Sequence, residues 1–419
     1  MNAEQKILVI GGGMSGLTAA LEAAESGAQV IIAEKAPYLG GRVAQLHRYF
    51  PKLCPPTCGL EINFRRIREN PRITFHTLAE VTRISGGAGE FQVTLELKPR
   101  YVNDRCTACD ACAQACPHER VNDFNYGLDK TKAAYLPFDM AFPQKYVIDA
   151  SACTGDCGRK CQEACQYEAI DLDMKPQTLD LEVGSIILAG GWELYDAARM
   201  DNLGYGQVKN VITNMQMERL AAANGPTVGQ ILRPGDGKAP KRVAFVQCAG
   251  SRDENHLPYC SYICCMASLK QALYLREKDP EAEASVFYID LRTPGRYELF
   301  LNKVKEDENI KLIRGKVAKV TQKAGSQDVV VVAENTATGE KLEETFDMVV
   351  LAAGMVPSTK AAPAALPLSY TPDGFIIPEL LPQGMFAVGS LKSPLDVTKS
   401  VQDGTGAALK SLIALGGRS

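Results

Sequence analysis

The stretch KILVIGGGMSGLTAALEAAESGAQVIIAEK, residues 6–35, indicates the fold class of this 419-residue chain. KILVI is a continuous apolar run, which is typical of a buried parallel strand. A glycine turn, an alanine-rich helical segment and a second apolar strand follow it. This order predicts one crossover of a parallel α/β sheet, with a ligand at the carboxyl end of the first strand.

The glycines of the turn have the spacing of a dinucleotide site. Gly11, Gly13 and Gly16 form G-x-G-x-x-G, which provides a sharp turn, access for a pyrophosphate and close packing of helix on strand. The helix N-terminus offers N–H groups and a positive dipole end to the phosphates. Glu34 ends the second strand, where its carboxylate can accept from ribose hydroxyls. A similar fold without a cofactor is the alternative.

Later segments favour flavin over nicotinamide. Gly40, Gly41 and Arg42 form a turn similar to the one that lies along the flavin diphosphate in flavoproteins with two dinucleotide folds. Apolar strands that end in small residues recur at 185–191 and 347–354, where such flavoproteins return to the FAD domain.

The segment 384–408 resembles the C-terminal flavin segment of the same proteins, a strand followed by a helix directed at the cofactor. Those proteins often have aspartate after the glycine of this strand, whereas Ser390 follows Gly389 here. The predicted FAD-binding residues are Gly11, Gly13, Met14, Ser15, Gly16, Glu34, Lys35, Gly41, Arg42, Ala189, Gly190, Gly354, Gly389 and Ser390.

Composition narrows the classes of function. With 46 Lys+Arg against 49 Asp+Glu, the net charge of −3 gives no electrostatic basis for nucleic-acid binding. No apolar run approaches the ~18–20 residues of a membrane span, and the chain enters a strand at once, with no room for a secretory signal. We therefore expect a cytosolic chain whose 14 cysteines serve metal or redox chemistry and not disulfides.

The segments predict a discontinuous FAD domain interrupted by two other domains. The region after the strand KRVAFVQ reads Gln247-Cys248-Ala249-Gly250-Ser251-Arg252, without a second glycine fingerprint, so we expect no nicotinamide site there. The predicted domains are FAD-binding parts at 1–100, 178–235 and 342–419, an insertion at 101–177, and a degenerate nucleotide-binding domain at 236–341.

The insertion contains eight cysteines in two quartets. Cys106, Cys109, Cys112 and Cys116, followed by Pro117, spell C-x2-C-x2-C-x3-C-P, the pattern of [4Fe–4S] ferredoxins. Structural zinc, the rival, usually takes two short cysteine pairs that are far apart in sequence.

The second quartet departs from this pattern. It reads C-x3-C-x3-C-x3-C and comprises Cys153, Cys157, Cys161 and Cys165. Gly155 and Gly158 favour a loop over a continuous helix. Crossed ligation, as in two-cluster ferredoxins, predicts one cube on Cys106, Cys109, Cys112 and Cys165 and another on Cys153, Cys157, Cys161 and Cys116. The alternative for the second quartet is a set of merely buried thiols.

A third group, Cys248, Cys260, Cys264 and Cys265, has no ordinary ferredoxin spacing, and spacing alone favours small core residues. However, the N-terminal segment, LGGRVAQL (39–46), both quartets and CAGSRDENHLPYCSYICC (248–265) together resemble the family of heterodisulfide reductase A subunits. The resemblance implies an α/β flavoprotein of thioredoxin-reductase type with an inserted α+β ferredoxin-like domain. It further implies up to three [4Fe–4S] clusters, one of them flavin-proximal on this third group in place of NAD.

Within this family, YFPKLCPPTCGLEINFRRIREN (49–70) and the compact length resemble the A subunits of the quinone-interacting membrane-bound oxidoreductase (Qmo) of sulfate reducers. Methanogen members usually run longer and add a C-terminal ferredoxin. The Qmo resemblance implies a flavin- and cluster-bearing B subunit, a haem-b membrane C subunit, and electron transfer between menaquinol and adenylylsulfate (APS) reductase. The chain would then sit at the inner face of the cytoplasmic membrane through its partners.

Two alternatives stay open. One is a soluble, electron-bifurcating heterodisulfide-type subunit, and the other is an NAD(P)H:disulfide oxidoreductase that uses Cys54 and Cys58. We favour a structural role for these two, because the usual redox spacing is C-x-x-C and prolines stiffen the intervening loop. We expect no other catalytic side chain, and His47 is expected to be neutral and to serve packing.

Overall fold

The computed structural model describes residues 6–358 and 368–416. The strands are β1 (Lys6–Ile10), β2 (Gln29–Glu34), β3 (Ile73–Thr77), β4 (Ala79–Ser85), β5 (Phe91–Leu97), β6 (Glu119–Val121), β7 (Lys130–Lys132), β8 (Ala134–Tyr135), β9 (Val147–Ile148), β10 (Gln177–Val183), β11 (Ser185–Leu188), β12 (Trp192–Leu194), β13 (Val211–Thr213), β14 (Arg242–Ala249), β15 (Glu283–Tyr288), β16 (Ile310–Arg314), β17 (Val317–Gln322), β18 (Val329–Asn335), β19 (Glu340–Phe346), β20 (Met348–Ala353), β21 (Met355–Pro357) and β22 (Met385–Ala387). The α-helices are α1 (Met14–Glu25), α2 (Pro56–Glu69), α3 (Ala111–Ala115), α4 (Lys160–Glu163), α5 (Asn214–Ala221), α6 (Cys264–Lys278), α7 (Tyr297–Lys305) and α8 (Val397–Gly416).

The chain divides into two compact units. Among the described residues, the first comprises 6–44, 57–192, 357–358 and 368–416, and the second comprises 45–56 and 193–356. The first unit contains a five-stranded parallel sheet in the order β22-β11-β1-β2-β3 and a three-stranded antiparallel sheet in the order β10-β5-β4. Helix α1 connects β1 to its neighbour β2, as the opening stretch predicts.

The second unit repeats this architecture. Its parallel sheet has the order β13-β20-β14-β15-β16, and its antiparallel sheet has the order β17-β18-β19. Here β14 is the central strand, and α6 connects it to β15. The central strands of both parallel sheets are largely buried, at 7–9 in β1 and 243–246 in β14, in agreement with their apolar sequences.

This division differs from the predicted boundaries. Residues 193–235 and 342–356, which we expected in the FAD domain, belong to the second unit. The strand of 347–354 does not rejoin the first sheet, because β20 pairs with β13 and β14 in parallel register. An apolar strand that ends in small residues fits either sheet, so its sequence alone does not select the partner.

The insertion 101–177 lies within the first unit and has a small core of its own. This core includes Val102, Ala134, Tyr146 and Ile170 together with the thiols of Cys112, Cys116 and Cys161. Short antiparallel pairs, β6 with β7 and β8 with β9, surround the one-turn helices α3 and α4. Strand β8 pairs with β9, and Val102 forms an isolated antiparallel bridge with Ile170, so the two cysteine-bearing halves interlock.

Candidate functional site

The turn between β1 and α1 is shaped by glycines that tolerate no side chain. Gly11 has φ +109°, and a Cβ there would lie 2.3 Å from the carbonyl oxygen of Ala189. A Cβ on Gly16 would lie 1.9 Å from the carbonyl oxygen of Gly11. The first and third glycines of the motif therefore allow the sharp turn and close helix packing that the spacing predicts.

The second glycine of the motif faces open space. A Cβ on Gly13 would have Gly41 Cα, 3.9 Å away, as its nearest neighbour beyond the adjacent chain. Helix α1 begins at Met14 with no side-chain cap at Gly13 and no acidic residue in its first turn. An anion at this position would meet helix N–H groups and no competing carboxylate from that turn, so the turn fits the diphosphate of FAD.

Glu34 braces the same turn from the end of β2. Its carboxylate accepts from the backbone N–H of Gly12 at 2.6 Å and of Ala36 at 2.7 Å. Burial raises the pKa of Glu34, and these backbone hydrogen bonds oppose the rise. A carboxylate has further lone pairs, so the predicted contact with ribose hydroxyls is compatible with this bracing role. The Lys35 side chain is exposed and pairs with Glu80 at 3.8 Å.

The C-terminal flavin segment meets α1 at Gly389. This residue has φ +67°, and a Cβ there would lie 2.5 Å from Ser15 Oγ. Its backbone N–H donates to Asp403 Oδ2 at 2.7 Å, and Asp403 also pairs with Lys392. Sequence reasoning missed Asp403. The available sequence signal was an acidic residue in α8, the helix after β22, because Ser390 stands where related flavoproteins often have an aspartate.

The other predicted residues divide between the units. Ala189 donates its N–H to the carbonyl of Ile10 at 2.8 Å, and Gly190 lies against Leu391, so both are close to the glycine turn. Gly354 instead belongs to the second unit, where a Cβ would lie 2.4 Å from Leu257 Cδ1.

The insertion packs directly on the turn that carries Arg42. The guanidinium of Arg42 donates from Nε to the Trp192 carbonyl at 3.2 Å and lies 5.9 Å from the ring centre of Tyr126. Tyr38, just before this turn, makes edge-to-face contacts with Phe124 and Phe138 at 5.8 and 5.2 Å.

A second contact between the insertion and the flavin segments is Arg100. Its guanidinium donates to Thr77 Oγ1 at 2.8 Å and to the Pro37 carbonyl, and also to the carbonyls of Lys145 and Tyr146 at 3.2 and 3.3 Å. Partly buried hydrogen bonds of Arg100 and the aromatic contacts of Tyr38 thereby fix the cysteine-rich insertion next to the turn that carries Arg42.

The cysteines of the insertion are free thiols that approach one another across the two halves. Burial raises the pKa of Cys161, and charge on Cys116, Cys153 and Cys157 raises it further. Burial and then Cys106 raise the pKa of Cys112 to about 12. Cys116, Cys153 and Cys157 therefore lie near Cys161, and Cys106 and Cys161 both lie near Cys112.

The backbone of the insertion also matches the predicted loops. Gly155 and Gly158 have φ of +74° and +68°, so Cys153 and Cys157 lie in a loop as predicted, whereas Cys161 lies in the one-turn helix α4. Asp110 and Arg159 precede α3 and α4, both with left-handed φ. Within residues 6–358 and 368–416, no three His, Cys, Asp or Glu side chains are arranged to hold a single metal ion. A cubane binds each thiolate to a different iron, so its ligands need not converge on one point.

The third cysteine group occupies the equivalent turn of the second unit. Cys248 lies near the end of β14 with φ +53°, at an irregularity between Val246 and Ala249. Cys264 and Cys265 are the first two residues of α6. Burial raises the pKa of Cys264, and its neighbours Cys248, Cys265 and Cys260 raise it further. The four thiols are therefore gathered around one helix N-terminus.

Two backbone hydrogen bonds to sulfur lie within this group, and a buried glutamine without a described hydrogen-bond partner is adjacent to it in sequence. Backbone N–H groups donate to sulfur from Tyr262 to Cys260 and from Arg292 to Cys265, both at 3.4 Å. Gln247, beside Cys248, is buried with both amide atoms lacking a partner in the described chain. Closely spaced, largely buried thiols next to an unpaired buried amide fit the ligands of an iron–sulfur cluster, because cysteine thiolates are the usual ligands of such clusters.

A buried ion pair lies one turn further along α6. Lys270 Nζ is 3.1 Å from Glu218 Oε1, with side chains 3% and 1% exposed. Gln271 and the His47 backbone N–H donate to the same carboxylate at 2.6 and 2.9 Å. Sequence reasoning missed this pair, because its members are 52 positions apart on different helices and carry no motif. Burial lowers the pKa of His47 to about 4, in line with the predicted neutral ring.

Cys54 and Cys58 are both free and exposed. Cys54 lies in the second unit and Cys58 in the first, on α2. No helix in the described ranges is long and apolar enough to cross a membrane.

Comparisons with solved structures support the fold. The chain superimposes on the thioredoxin reductases of T. acidophilum and Lactococcus lactis, each with a TM-score of 0.53 and at 14% and 15% identity. The alignments cover 97% of this chain and 98% of the first structure, and 99% of both chains for the second. A family model described as FAD dependent oxidoreductase matches residues 6–60. The fold is thus that of an FAD-dependent oxidoreductase of thioredoxin-reductase type, as predicted.

Curated relatives are similar over nearly the whole chain. The iron-sulfur A subunit of a CoB–CoM heterodisulfide reductase from Methanopyrus kandleri is 42% identical over 98% of this chain. The A subunits of the ferredoxin/F420H2-dependent enzyme of Methanosarcina acetivorans and of the H2:CoB-CoM heterodisulfide,ferredoxin reductase of Methanothermobacter marburgensis are 40% and 38% identical over 99%. This chain spans 64%, 54% and 64% of their lengths. Over nearly its whole length the chain is thus similar to heterodisulfide reductase A subunits, and the glycine turn and the cysteine groups described above fit FAD and iron–sulfur clusters.

Proposed function

We propose that this chain is an electron-transfer subunit of an oxidoreductase complex and does not use NAD(P)H. The observation that carries the proposal is the repeated crossover, which ends in an open glycine cradle in the first unit and in four gathered thiols in the second. Bound FAD supplies exchange between one-electron and two-electron carriers. The glycine turn would hold its diphosphate, Glu34 its ribose, and Arg42 and Ser390 would line the remainder of the site.

The NADH test separates this proposal from an NAD(P)H:disulfide oxidoreductase. We expect that micromolar NADH leaves the flavin absorbance of the anaerobic holoprotein unchanged, because the turn after β14 carries thiols in place of a phosphate cradle. Rapid bleaching would refute the proposal.

A second test concerns Cys54 and Cys58. Substitution of both by alanine is expected to leave flavin reoxidation intact. Loss of flavin reoxidation, with FAD and iron still bound, would assign these cysteines a redox role.

The ligand sets in the insertion follow the crossed pattern. We propose one cube on Cys106, Cys109, Cys112 and Cys165 and the second on Cys153, Cys157, Cys161 and Cys116. The electrostatic neighbours of Cys161 support the second set. Cys116→Ser is expected to remove the same electron paramagnetic resonance (EPR) signal as Cys157→Ser, whereas Cys165→Ser removes that of Cys109→Ser. If Cys116→Ser instead removes the signal that Cys109→Ser removes, and Cys165→Ser removes that of Cys157→Ser, each quartet binds its own cube.

For the wider reaction, we propose electron transfer between menaquinol and APS reductase in a complex that also contains the Qmo-type B and C subunits, the latter a haem-b membrane protein. The segment 49–70 supports this assignment. The complex would hold the chain at the inner face of the cytoplasmic membrane. Gentle anaerobic solubilisation of source membranes, followed by isolation of this chain, is expected to recover both partners.

The names of the relatives favour a second candidate, a heterodisulfide-type subunit that bifurcates electrons with ferredoxin as one acceptor. Recovery of this chain only from the membrane-free fraction, together with hydrogenase or heterodisulfide-type subunits, would support this candidate and contradict the quinone-linked one. A low-potential ferredoxin that the purified complex reduces would support it further.

A further inference from the structure

Three charged side chains form a shell beside the third cysteine group, and the sequence analysis assigns none of them a role. Asp290 lies just after β15, and its carboxylate pairs with Arg252 and, at 3.5 Å, with Nε of Arg292. All three residues belong to the second unit. We call Arg252, Asp290 and Arg292 the charged shell.

The charged shell lies beside two thiols. Burial raises the pKa of Cys248, and the nearby Arg252 guanidinium opposes this rise by its charge and as a donor. The Arg292 backbone N–H donates to Cys265 Sγ at 3.4 Å, and that sulfur lies 3.7 Å from the Asp290 carbonyl oxygen. The shell therefore lies beside one thiol at the end of β14 and one at the start of α6.

Arg252 is held in place by its backbone as well as by Asp290. It has φ +56°, and its N–H donates to the Tyr259 carbonyl at 3.0 Å. Its side chain is only 24% exposed. A guanidinium with this little exposure is weakly screened, so its charge acts strongly on a neighbouring sulfur.

We propose that Arg252 is a positioning residue that raises the reduction potential of the cluster on Cys248, Cys260, Cys264 and Cys265. The inference rests on the proposed function, because it requires a cluster there. One-electron reduction adds one negative charge to the cluster and its thiolates, and a nearby cation stabilises the reduced form more than the oxidised form. Asp290 opposes this effect by its charge while it holds the guanidinium in place.

The test is an anaerobic redox titration of the holoprotein with dithionite, followed by EPR. The signal of this cluster is first assigned by its loss in Cys264→Ser. Arg252→Gln is expected to lower its midpoint potential, Arg252→Lys to lower it less, and Asp290→Asn to raise it. Lys316→Gln is the matched control, because Lys316 pairs at 2.8 Å with Asp253, the residue after Arg252, and has no thiol contact among its described partners. Its shift is expected to be the smallest.

The outcomes separate the two claims. If Cys264→Ser removes no signal and no iron, the cluster and hence the proposed function fail. If the signal is present but does not move in Arg252→Gln and Asp290→Asn, or moves equally in Lys316→Gln, the role of Arg252 is overturned. If Arg252→Gln loses the cluster, Asp290→Asn tests the proposal instead. A raised midpoint potential in Asp290→Asn supports the proposal, and an unchanged or lowered one overturns it.

Discussion

The two parallel sheets of this chain share one topology and differ in the chemistry of one turn. In the first unit, β1 leads through the glycine turn to α1, and in the second, β14 leads through a longer loop to α6. Both turns begin at a residue with positive φ, Gly11 at +109° and Cys248 at +53°. Both helices present an uncapped N-terminus to the turn.

The difference lies in what each turn offers to a ligand. The glycine turn offers backbone N–H groups and empty space, which suits a diphosphate. The second turn fills the equivalent positions with sulfur and surrounds it with donors and charge, which suits a cluster. The same crossover geometry can therefore suit either a diphosphate or a cluster with its thiolates, because the helix dipole stabilises negative charge at both turns.

The helices differ in their buried faces, and the largest effect we expect concerns α6. Helix α1 buries mainly small apolar residues, whereas α6 buries Lys270 against Glu218. Lys270→Met is expected to lower the free energy of unfolding by about 3–5 kcal/mol, because it leaves a buried carboxylate uncompensated. Urea denaturation measures it. A double variant with Glu218→Leu should recover much of the loss; an equal or greater loss would contradict this reading.

A matched pair of glycine variants distinguishes the glycine that folding requires from the glycine that leaves space for FAD in the first turn. Gly16→Ala is expected to destabilise the protein by about 1–3 kcal/mol or more, since its Cβ meets backbone at 1.9 Å. Gly13→Ala is expected to leave apoprotein stability nearly unchanged, because its Cβ has 3.9 Å of clearance. It should weaken FAD binding by about 10–100-fold, since 1.4 kcal/mol corresponds to tenfold. FAD affinity is measured by flavin fluorescence. If Gly13→Ala binds FAD as tightly as the wild type does, the diphosphate lies elsewhere.

The smallest effect concerns His47, which packs on Tyr274 in the second unit at 4.8 Å between ring centres. Its pKa in the folded protein is lowered to about 4, mainly by burial, whereas the unfolded value is near 6.5. The unfolded state therefore binds the proton first, and stability falls as the pH drops from 6.5 towards 4. His47→Gln should flatten part of this fall in urea titrations across that window. An identical pH profile would mean that the ring is already charged at pH 5.

Sequence reasoning predicts most of the fold, since apolar strand runs and the glycine spacing are local patterns; the assignment of thiols to clusters stays a prediction. It misses which sheet accepts 347–354, because parallel pairing depends on tertiary context. It also misses Asp403, the charged shell and the Lys270–Glu218 pair, whose members meet only after folding.

The presence of a cluster at the second crossover can be tested by the iron and acid-labile sulfide content per FAD in the wild-type holoprotein and in Cys264→Ser, with Mössbauer spectra of both. We predict about twelve irons per chain in the wild type and about eight in the variant, with FAD retained, because each cubane contains four. Equal iron in both proteins, with the same Mössbauer components, would contradict the claim that the second crossover holds a cluster.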